Sequence, residues 1–324
     1  MMSKADTSGG ISVVMTTYNG EKYVCEQLDS ILSQTLLPKE IIVVDDCSTD
    51  KTWEILLNYA ASNPQLKIYQ NDHNIGAHQN FRKAFSLSSC PLIAPSDQDD
   101  IWRVDKLEIL KELLIQKGVD LVFSQEQIMW ENGDLEIDTH EMPMMKDFIW
   151  GNCLKGHTFL FKREMLNVYD RAKNLSFDYA LAIKAGVSGS YTSTNEPLSI
   201  WRRHSGVMTT AKSNDSELVI KDIPRREKIL YSLHYLKKER SKPIETSFND
   251  RSLLFRSFSG NKLLSRICKN VAEQTRWSLL KASMLNVLAQ HYENGIRDRI
   301  AHAMWAMRQP WIYWYDMHLL SSLE

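Results

Sequence analysis

Residues 40–50 read EIIVVDDCSTD, an apolar run that ends abruptly at two adjacent carboxylates. A short run rich in Val and Ile, bounded by polar turn residues, predicts a buried β-strand. The next residues, WEILLNYAA (53–61), repeat apolar side chains with helical spacing, and the Ser48/Asp50 region offers caps for a helix N-terminus. The stretch therefore predicts a strand, a polar turn and a helix.

The same unit recurs on both sides. Upstream, ISVVMT (11–16) leads into the turn TYNG and a helical pattern over residues 23–32. Downstream, the sequence predicts a third strand (66–69), a third helix (80–87) and a fourth strand (92–94). Strands that alternate with helices indicate an α/β fold with a parallel, doubly wound sheet.

Polar residues follow each predicted strand, and in doubly wound sheets ligands bind beyond the carboxyl ends of the strands. These residues are Thr16, Tyr18 and Asn19, then Asp45 and Asp46, then Asn71, Asn74 and Gly76, and finally Asp97, Asp99 and Asp100. We therefore expect a ligand site at one rim of the sheet.

The fourth strand runs into SDQDDIW, which places three carboxylates within four residues. Like charges this close raise one another's pKa and cost stability unless something offsets them. A basic side chain, a metal ion or solvent can do so. The stretch on its own is explained equally well by an exposed acidic turn that caps a helix beginning near Val104.

The composition bounds the function classes. With 324 residues, 43% hydrophobic and 24% charged, the chain suits one large domain and a smaller appendage rather than a disordered protein. Residues 1–210 carry 20 Lys and Arg against 28 Asp and Glu, whereas residues 211–324 carry 19 against 12. The basic C-terminal part predicts an anionic partner.

The same composition bears on location. Five scattered cysteines without metal-binding spacing, and an N-terminus without an apolar core, predict reduced thiols in a cytoplasmic protein. No run approaches the roughly 20 apolar residues that span a bilayer, so we expect any membrane contact to be peripheral, at the inner face.

Four motifs in order, TTYNG, VVDDCSTD, NIGAHQNFRKAF and SDQDDIW, closely resemble glycosyltransferase family 2, the inverting enzymes with the nucleotide-sugar (GT-A) fold. The DQDDIW form resembles bacterial polysaccharide transferases, including rhamnosyltransferases. The resemblance covers roughly residues 11–210. It departs at His78 and Gln79, where many members have small residues, and at Cys47, which replaces a usual glycine.

The resemblance implies a domain plan. A disordered N-terminus (1–10) precedes a GT-A catalytic domain (11–215), with a nucleotide half (about 11–105) and an acceptor half (about 106–215). Residues 216–324 form a helical, basic and aromatic extension. Its helices suit either packing onto the catalytic domain or lying on an anionic bilayer.

The resemblance also implies site residues, with Mn²⁺ or Mg²⁺ as the cofactor. The metal ligands are Asp97 and Asp99, with Asp99 the closest, and His204. The donor side comprises Thr16, Tyr18, Asn19, Asp45, Asp46, Asn74, Gly76, Arg82, Asp97 and Asp100. The acceptor side comprises Trp102, Gly156, His157, Thr158, Arg202 and Arg203.

The resemblance, read together with the residue types, also implies individual roles. Asp46 faces the donor base, Arg82 either meets the diphosphate or lies on a solvated helix face, and Asp100 binds sugar hydroxyls or caps the turn. Asp178 heads an apolar helical run and corresponds to the catalytic base, although aspartate also caps helices routinely. Glu196 and Asp170 are weaker candidates for the base.

The expected function is transfer of a sugar, with inversion, from a UDP- or dTDP-sugar to a glycan acceptor that is lipid-linked. The setting is synthesis of bacterial surface polysaccharide, O-antigen or capsule, without nucleic acid. The alternative is a non-catalytic sugar-nucleotide or glycan-binding module on the same fold. A nucleotidyltransferase would need a Gly-rich, basic loop after the first strand, and TTYNGEKY is a poor version of one.

Overall fold

A computed structural model describes residues 9–138, 154–170 and 176–204. Apart from residues 168–170, they belong to one compact unit. Its strands are β1 (Ile11–Thr17), β2 (Glu40–Asp45), β3 (Leu66–Gln70), β4 (Leu92–Ser96), β5 (Ile101–Trp102), β6 (Leu121–Met129), β7 (Leu135–Asp138), β8 (Phe159–Lys162) and β9 (Tyr191–Arg202). The helices are α1 (Val24–Leu32), α2 (Thr52–Ser62), α3 (Ala77–Leu87), α4 (Lys106–Lys117), α5 (Leu166–Tyr169) and α6 (Phe177–Ser188), with 3₁₀ turns at Gly156–Thr158 and Arg163–Met165.

The first four strands form a parallel sheet in the order β3-β2-β1-β4. Val14 of β1 lies opposite Ile42 of β2 on one side and Pro95 of β4 on the other. Strands β1, β2 and β4 are largely apolar and buried, as is usual in a parallel sheet that is covered on both faces, whereas β3 carries Lys67 and Gln70 and is partly exposed. The alternation of strands and helices predicted for residues 11–94 is confirmed. The strand order reverses between β1 and β4, and the crevice at such a reversal is where ligands bind.

The rest of the sheet is mixed. β8 pairs antiparallel with both β4 and β6, β9 runs parallel to β6, and β5 pairs antiparallel with β9. The sheet is therefore parallel up to β4 and mixed beyond it. β7 adds a further antiparallel pair, because a tight turn in which the Trp130 N–H donates to the Asp134 carbonyl joins β6 to β7 as a hairpin.

Two helix starts differ from the sequence expectation. α4 begins at Lys106 rather than near Val104. At α2, the Asp50 carboxylate accepts a hydrogen bond from the Thr52 N–H, whereas Ser48 bonds to Asp45 and does not reach the helix. Only half of the expected Ser48/Asp50 cap is therefore present.

Several expectations fall outside the described residues, namely those for residues 1–8, for 148–153 of the acceptor loop and for the extension 216–324. The three cysteines that the structure describes, Cys25, Cys47 and Cys90, are free thiols. Among the helices of the described ranges, none combines the length and the apolarity that crossing a bilayer requires.

Candidate functional site

The loops after β1 and β4 are clamped together by Gln98. The Tyr18 N–H donates to Gln98 Oε1 (2.9 Å), and Gln98 Nε2 donates to the Tyr18 carbonyl (3.0 Å). A Cβ at Gly20 would lie 2.3 Å from Gln98 Oε1, so a larger residue there would displace the Gln98 amide from this position. The crevice at the strand reversal is thus built from the TYNG and DQDD motifs. Gln98 was not singled out from the sequence.

The TYNG loop is also tied to the loop after β2. The Asn19 N–H donates to Ser48 Oγ (2.9 Å), and Asn19 Oδ1 accepts from the Thr49 N–H (2.9 Å). Asn19 has φ of 49°, a left-handed conformation that asparagine tolerates. Cys47 has φ of 62°, so the expected glycine is missing at a position whose backbone favours glycine.

Asp45 and Asp46 are buried and engaged internally. Asp45 accepts hydrogen bonds from the Thr17 hydroxyl, the Ser48 N–H and hydroxyl, and Gln70 Nε2. Asp46 accepts from Asn71 Nδ2 and from the N–H groups of Ile75 and Gly76. These bonds shape the loops after β2 and β3. The predicted contact of either carboxylate with a donor stays a prediction.

The other expected donor residues surround these loops. Thr16 is half-buried near the end of β1, and the Tyr18 side chain is exposed. Asn74 Oδ1 accepts from the Gly76 N–H (3.0 Å), and Gly76 has φ of 83°. Arg82 is half-buried on α3.

A group of possible metal ligands lies at the mouth of the crevice. Asp97 Oδ2 is 3.3 Å and Asp100 Oδ2 is 3.8 Å from Nδ1 of His157, and one ligand atom from each residue lies within 4.8 Å of the others. Asp100 is completely buried, yet neither of its carboxylate oxygens has a hydrogen-bond partner. Burial raises the pKa of Asp100 to about 8. Two carboxylates and one imidazole fit Mn²⁺, and a cation would offset the unpaired buried oxygens.

A second pair involves Asp99 and His204, whose Nε2 is 3.1 Å from Asp99 Oδ2. The His204 ring stacks on Tyr23, with centroids 4.3 Å apart. Burial, together with the charge of Asp97, raises the pKa of Asp99, while His204 opposes this shift. The structure thus brings each of the three predicted metal ligands close to a partner that can share a cation.

Buried charges behind the acidic cluster were missed by the sequence analysis. His157 Nε2 contacts the carboxylate of Glu126, which also forms an ion pair with Lys155. Lys106 is completely buried and donates to the His157 carbonyl (2.6 Å), and burial lowers the pKa of Lys106 to about 7. Burial lowers the pKa of His157, but the charges of Asp100 and Glu126 raise it overall, well above its ordinary value.

The helical spacing contains a signal for Lys106. It lies four and eight residues before Leu110 and Leu114, which are buried, so it occupies a core-facing position. A lysine on such a face needs a partner, and that partner cannot be read from the local sequence.

Asp178 lies beside the His157 turn. A Cβ at Gly156 would be 2.3 Å from the Phe177 ring and 3.2 Å from Asp178 Cβ, so glycine permits this contact. Asp178 is half-buried in the first turn of α6, where Ser176 is the N-cap residue. Its Oδ1 accepts from the Tyr179 N–H (2.8 Å). Asp178 therefore does not occupy the cap position, and its role as the base stays a prediction.

Three residues expected on the acceptor side are buried. Trp102 is 3% exposed and packs in the hydrophobic core, with Lys106 Nζ 4.1 Å from its ring centroid. His157 lies at the acidic cluster instead. Thr158 is buried, and its hydroxyl donates to the Lys155 carbonyl (2.7 Å), which closes the local turn. The expected contact of these residues with an acceptor stays a prediction.

The remaining candidates are placed as follows. Arg202 forms an ion pair with Glu26, and the Arg203 guanidinium lies 4.4 Å from the Trp201 ring centroid. Glu196 is paired with Arg103 at 2.7 Å, which makes it a poor general base. Asp170 lies outside the compact unit that carries the other candidates.

Comparisons with known proteins show what this chain is similar to. Residues 12–171 match the family described as Glycosyl transferase family 2. A 160-residue match of 30% identity covers 49% of this chain and 62% of the UDP-Glc:alpha-D-GlcNAc-diphosphoundecaprenol beta-1,3-glucosyltransferase WfgD of Escherichia coli. A 158-residue match of 31% identity covers 47% of this chain and 55% of the dTDP-rhamnosyl transferase RfbG of Shigella flexneri. The chain spans about three fifths of the length of the curated relatives it matches.

Among solved structures, the mannosyltransferase PcManGT of Pyrobaculum calidifontis, in complex with GDP-Man and Mn²⁺, superimposes with a TM-score of 0.51. The superposition covers 98% of this chain and 88% of that protein at 15% identity. This likeness shows the fold alone, a mixed sheet with flanking helices of the GT-A type.

Proposed function

Because residues 12–171 belong to glycosyltransferase family 2, we propose that this protein transfers a sugar, with inversion, from a UDP- or dTDP-sugar to a lipid-linked glycan. The proposed setting is the assembly of a bacterial surface polysaccharide. The relatives WfgD and RfbG, whose names specify UDP-Glc with a diphosphoundecaprenol acceptor and dTDP-rhamnose, support this choice of donor and acceptor.

One observation carries the proposal: Asp100 is buried without a hydrogen bond at the strand reversal, next to Asp97 and His157. A fold rarely leaves both oxygens of a buried carboxylate without a hydrogen bond unless a ligand supplies one. Asp97, Asp99, Asp100, His157 and His204 are the residues that would hold Mn²⁺ or Mg²⁺. When bound, the cation would neutralise the charge that develops on a diphosphate leaving group.

The nucleotide is proposed to lie over the loops after β1, β2 and β3. Hydrogen bonds among Asn19, Ser48 and Thr49 hold the first two loops in place before a ligand arrives. Preorganised loops reduce the entropic cost of binding. Tyr18, which is 46% exposed, can then cover the base or the sugar.

Asp178 is proposed as the general base. Inversion requires a base that takes the proton of the acceptor hydroxyl on the face opposite the diphosphate. Through Gly156, Asp178 is placed next to the turn that carries His157, so it borders the acidic cluster without belonging to it. The acceptor is proposed to approach between these two groups, near Arg202 and Arg203.

The testing experiment is a thermal-shift screen of UDP, dTDP and GDP sugars, each with and without Mn²⁺. A ligand that binds only the folded state raises the melting temperature by mass action. The proposal expects the largest shift for one UDP- or dTDP-sugar with Mn²⁺. No shift with any nucleotide sugar would contradict it. Hydrolysis of the donor in the absence of acceptor then separates an enzyme from a binding module, which releases no sugar.

Peripheral membrane contact is proposed for residues 216–324, on their sequence alone. A lipid-linked acceptor lies at a membrane, and the basic C-terminal part can be attracted to acidic headgroups. The full chain should sediment with vesicles containing acidic lipid, less so at high salt. Equal sedimentation with neutral vesicles would contradict an electrostatic contact.

A further inference from the structure

We propose that Glu126 is a positioning residue for the cation site: its carboxylate holds the His157 ring so that Nδ1 faces Asp97 and Asp100. This inference rests on the proposed function, in which His157 is a metal ligand. Glu126 itself touches neither the cation nor the substrate.

The geometry of the ring supports this assignment. His157 presents its two nitrogens to opposite sides: Nε2 contacts Glu126, and Nδ1 lies 3.3 Å from Asp97 Oδ2. A metal-ligating histidine commonly donates its other ring N–H to a carboxylate, which fixes both the ring orientation and the tautomer. Glu126 occupies that position.

Burial makes the arrangement specific. Glu126 is completely buried on β6, and His157 is 6% exposed. A charged glutamate is almost never buried fully unless it is paired. Both of its oxygens are used, Oε2 for His157 and Oε1 for Lys155, whose ammonium lies 4.1 Å from the Trp201 ring centroid.

The backbone of the same turn is fixed separately. The buried Lys106 ammonium donates to the His157 carbonyl (2.6 Å), and the Thr158 hydroxyl closes the turn by donating to the Lys155 carbonyl (2.7 Å). The main chain of His157 is therefore held without Glu126. What Glu126 adds is the direction of the imidazole ring, so its loss should affect cation affinity more than folding.

The test is a double-mutant cycle with Mn²⁺ alone as the probe, on the full chain. Free Mn²⁺ is measured by its electron paramagnetic resonance signal for the wild type, Glu126→Gln, His157→Asn and the double variant. Glu126→Gln should weaken Mn²⁺ binding by about 10–100-fold, the usual effect of losing a carboxylate behind a ligating histidine. If Glu126 acts through His157, the double variant binds no more weakly than His157→Asn alone.

Matched variants keep the result interpretable. Glu112→Gln, an exposed glutamate on α4, should bind Mn²⁺ as the wild type does. Glu126→Asp keeps the charge but shortens the side chain, so it should recover part of the affinity, and it replaces Glu126→Gln in the cycle if that variant does not fold.

Two results would overturn the inference: wild-type Mn²⁺ affinity in Glu126→Gln, or losses that multiply in the double variant. Either leaves the proposed function standing. A wild-type protein that binds no Mn²⁺ would instead remove the proposed cation site, and this inference with it.

Discussion

Two buried carboxylates lie at opposite ends of the strands of the same sheet, and they differ in their hydrogen bonding. Glu40 opens β2 at the amino edge, is 2% exposed, and accepts hydrogen bonds from Ser12, Ser89 and Lys67. Asp100 follows β4 at the carboxyl edge, is 0% exposed, and accepts none. Burial alone would raise both pKa values, but Lys67 and the serine donors lower that of Glu40 to about 2, whereas that of Asp100 rises to about 8.

We interpret this difference as the one between a structural charge and a charge that the proposed cation would offset. A satisfied buried carboxylate stabilises the fold, and an unsatisfied one costs stability until something binds it. Burial by itself does not tell the two apart; the hydrogen-bond partners do. The comparison can be tested by changing carboxylates at each edge and measuring function and stability separately.

The largest effect is expected at Asp178, the carboxylate beside the acidic cluster. Asp178→Asn should lower turnover by roughly 10²–10⁴-fold, as expected for a lost general base, while Mn²⁺ and donor affinity stay nearly unchanged. Steady-state transfer kinetics and donor titration measure the two. Glu112→Gln, at an exposed position on α4, serves as the control with normal turnover. A loss of donor binding in Asp178→Asn would assign that residue to the donor side instead.

The second prediction concerns Asp100. Asp100→Asn should weaken Mn²⁺ binding by about 100-fold or more, because even the partners of metal ligands contribute 10–100-fold. Its melting temperature should stay within a few degrees of the wild-type value, since the change keeps the volume and removes no hydrogen bond. Calorimetric Mn²⁺ titration and thermal melting measure these effects. A large loss of stability would mean that Asp100 is a structural carboxylate like Glu40.

Glu40→Gln should behave in the opposite way. Removing the charge that Lys67 and the Ser89 N–H require should destabilise the protein by about 1–3 kcal/mol, with Mn²⁺ affinity unchanged. Urea unfolding at pH 7 measures this free energy. Unchanged stability would show that Glu40 is not a structural carboxylate.

The effect of Glu40 should depend on pH with a defined sign. Its pKa is lower in the folded state, so its contribution is complete above the ordinary value of 4.5 and declines as the pH falls toward about 2. The difference in unfolding free energy between wild type and Glu40→Gln should therefore shrink over that interval. A difference that grows toward acid would contradict the depressed pKa.

The sequence predicted the features that depend on neighbouring residues and not those that depend on residues far apart in sequence. The units up to β4 were readable because each strand, turn and helix is a local pattern, and the motifs fall at strand ends. The network behind the acidic cluster could not be predicted, because its contacts join residues that are far apart in sequence. Lys106 donates to the His157 carbonyl 51 residues away, and Glu126 contacts the His157 ring 31 residues away. The mixed half of the sheet was missed for a similar reason, since β4 pairs with β8 across more than 60 residues.

Trp102 and His157 have surroundings that the sequence did not predict. Both follow motifs in sequence, but only the pairing of β5 with β9 puts the Trp102 side chain into the core. The 3₁₀ turn Gly156–Thr158 similarly brings His157 to Asp97. At Cys47, by contrast, the resemblance was informative. The sequence has cysteine where glycine is usual, and the structure gives this position a positive φ, which favours glycine.

The smallest effect is expected at Cys47, where the carboxyl edge holds a left-handed backbone. A left-handed conformation costs a non-glycine residue roughly 1–2 kcal/mol of stability, and glycine avoids this cost. Glycine also has greater conformational entropy in the unfolded state, which lowers stability by about 0.5–1 kcal/mol and so cancels part of the gain. Cys47→Gly should therefore raise the free energy of unfolding by at most about 1 kcal/mol. Cys47→Ala keeps the strain and should give no gain. Asn19→Gly, also at positive φ, should lose stability, because its side chain accepts the Thr49 N–H. Urea unfolding of the three variants measures these differences in the free energy of unfolding. Equal changes of that free energy in Cys47→Gly and Cys47→Ala would show that the backbone at Cys47 is not strained.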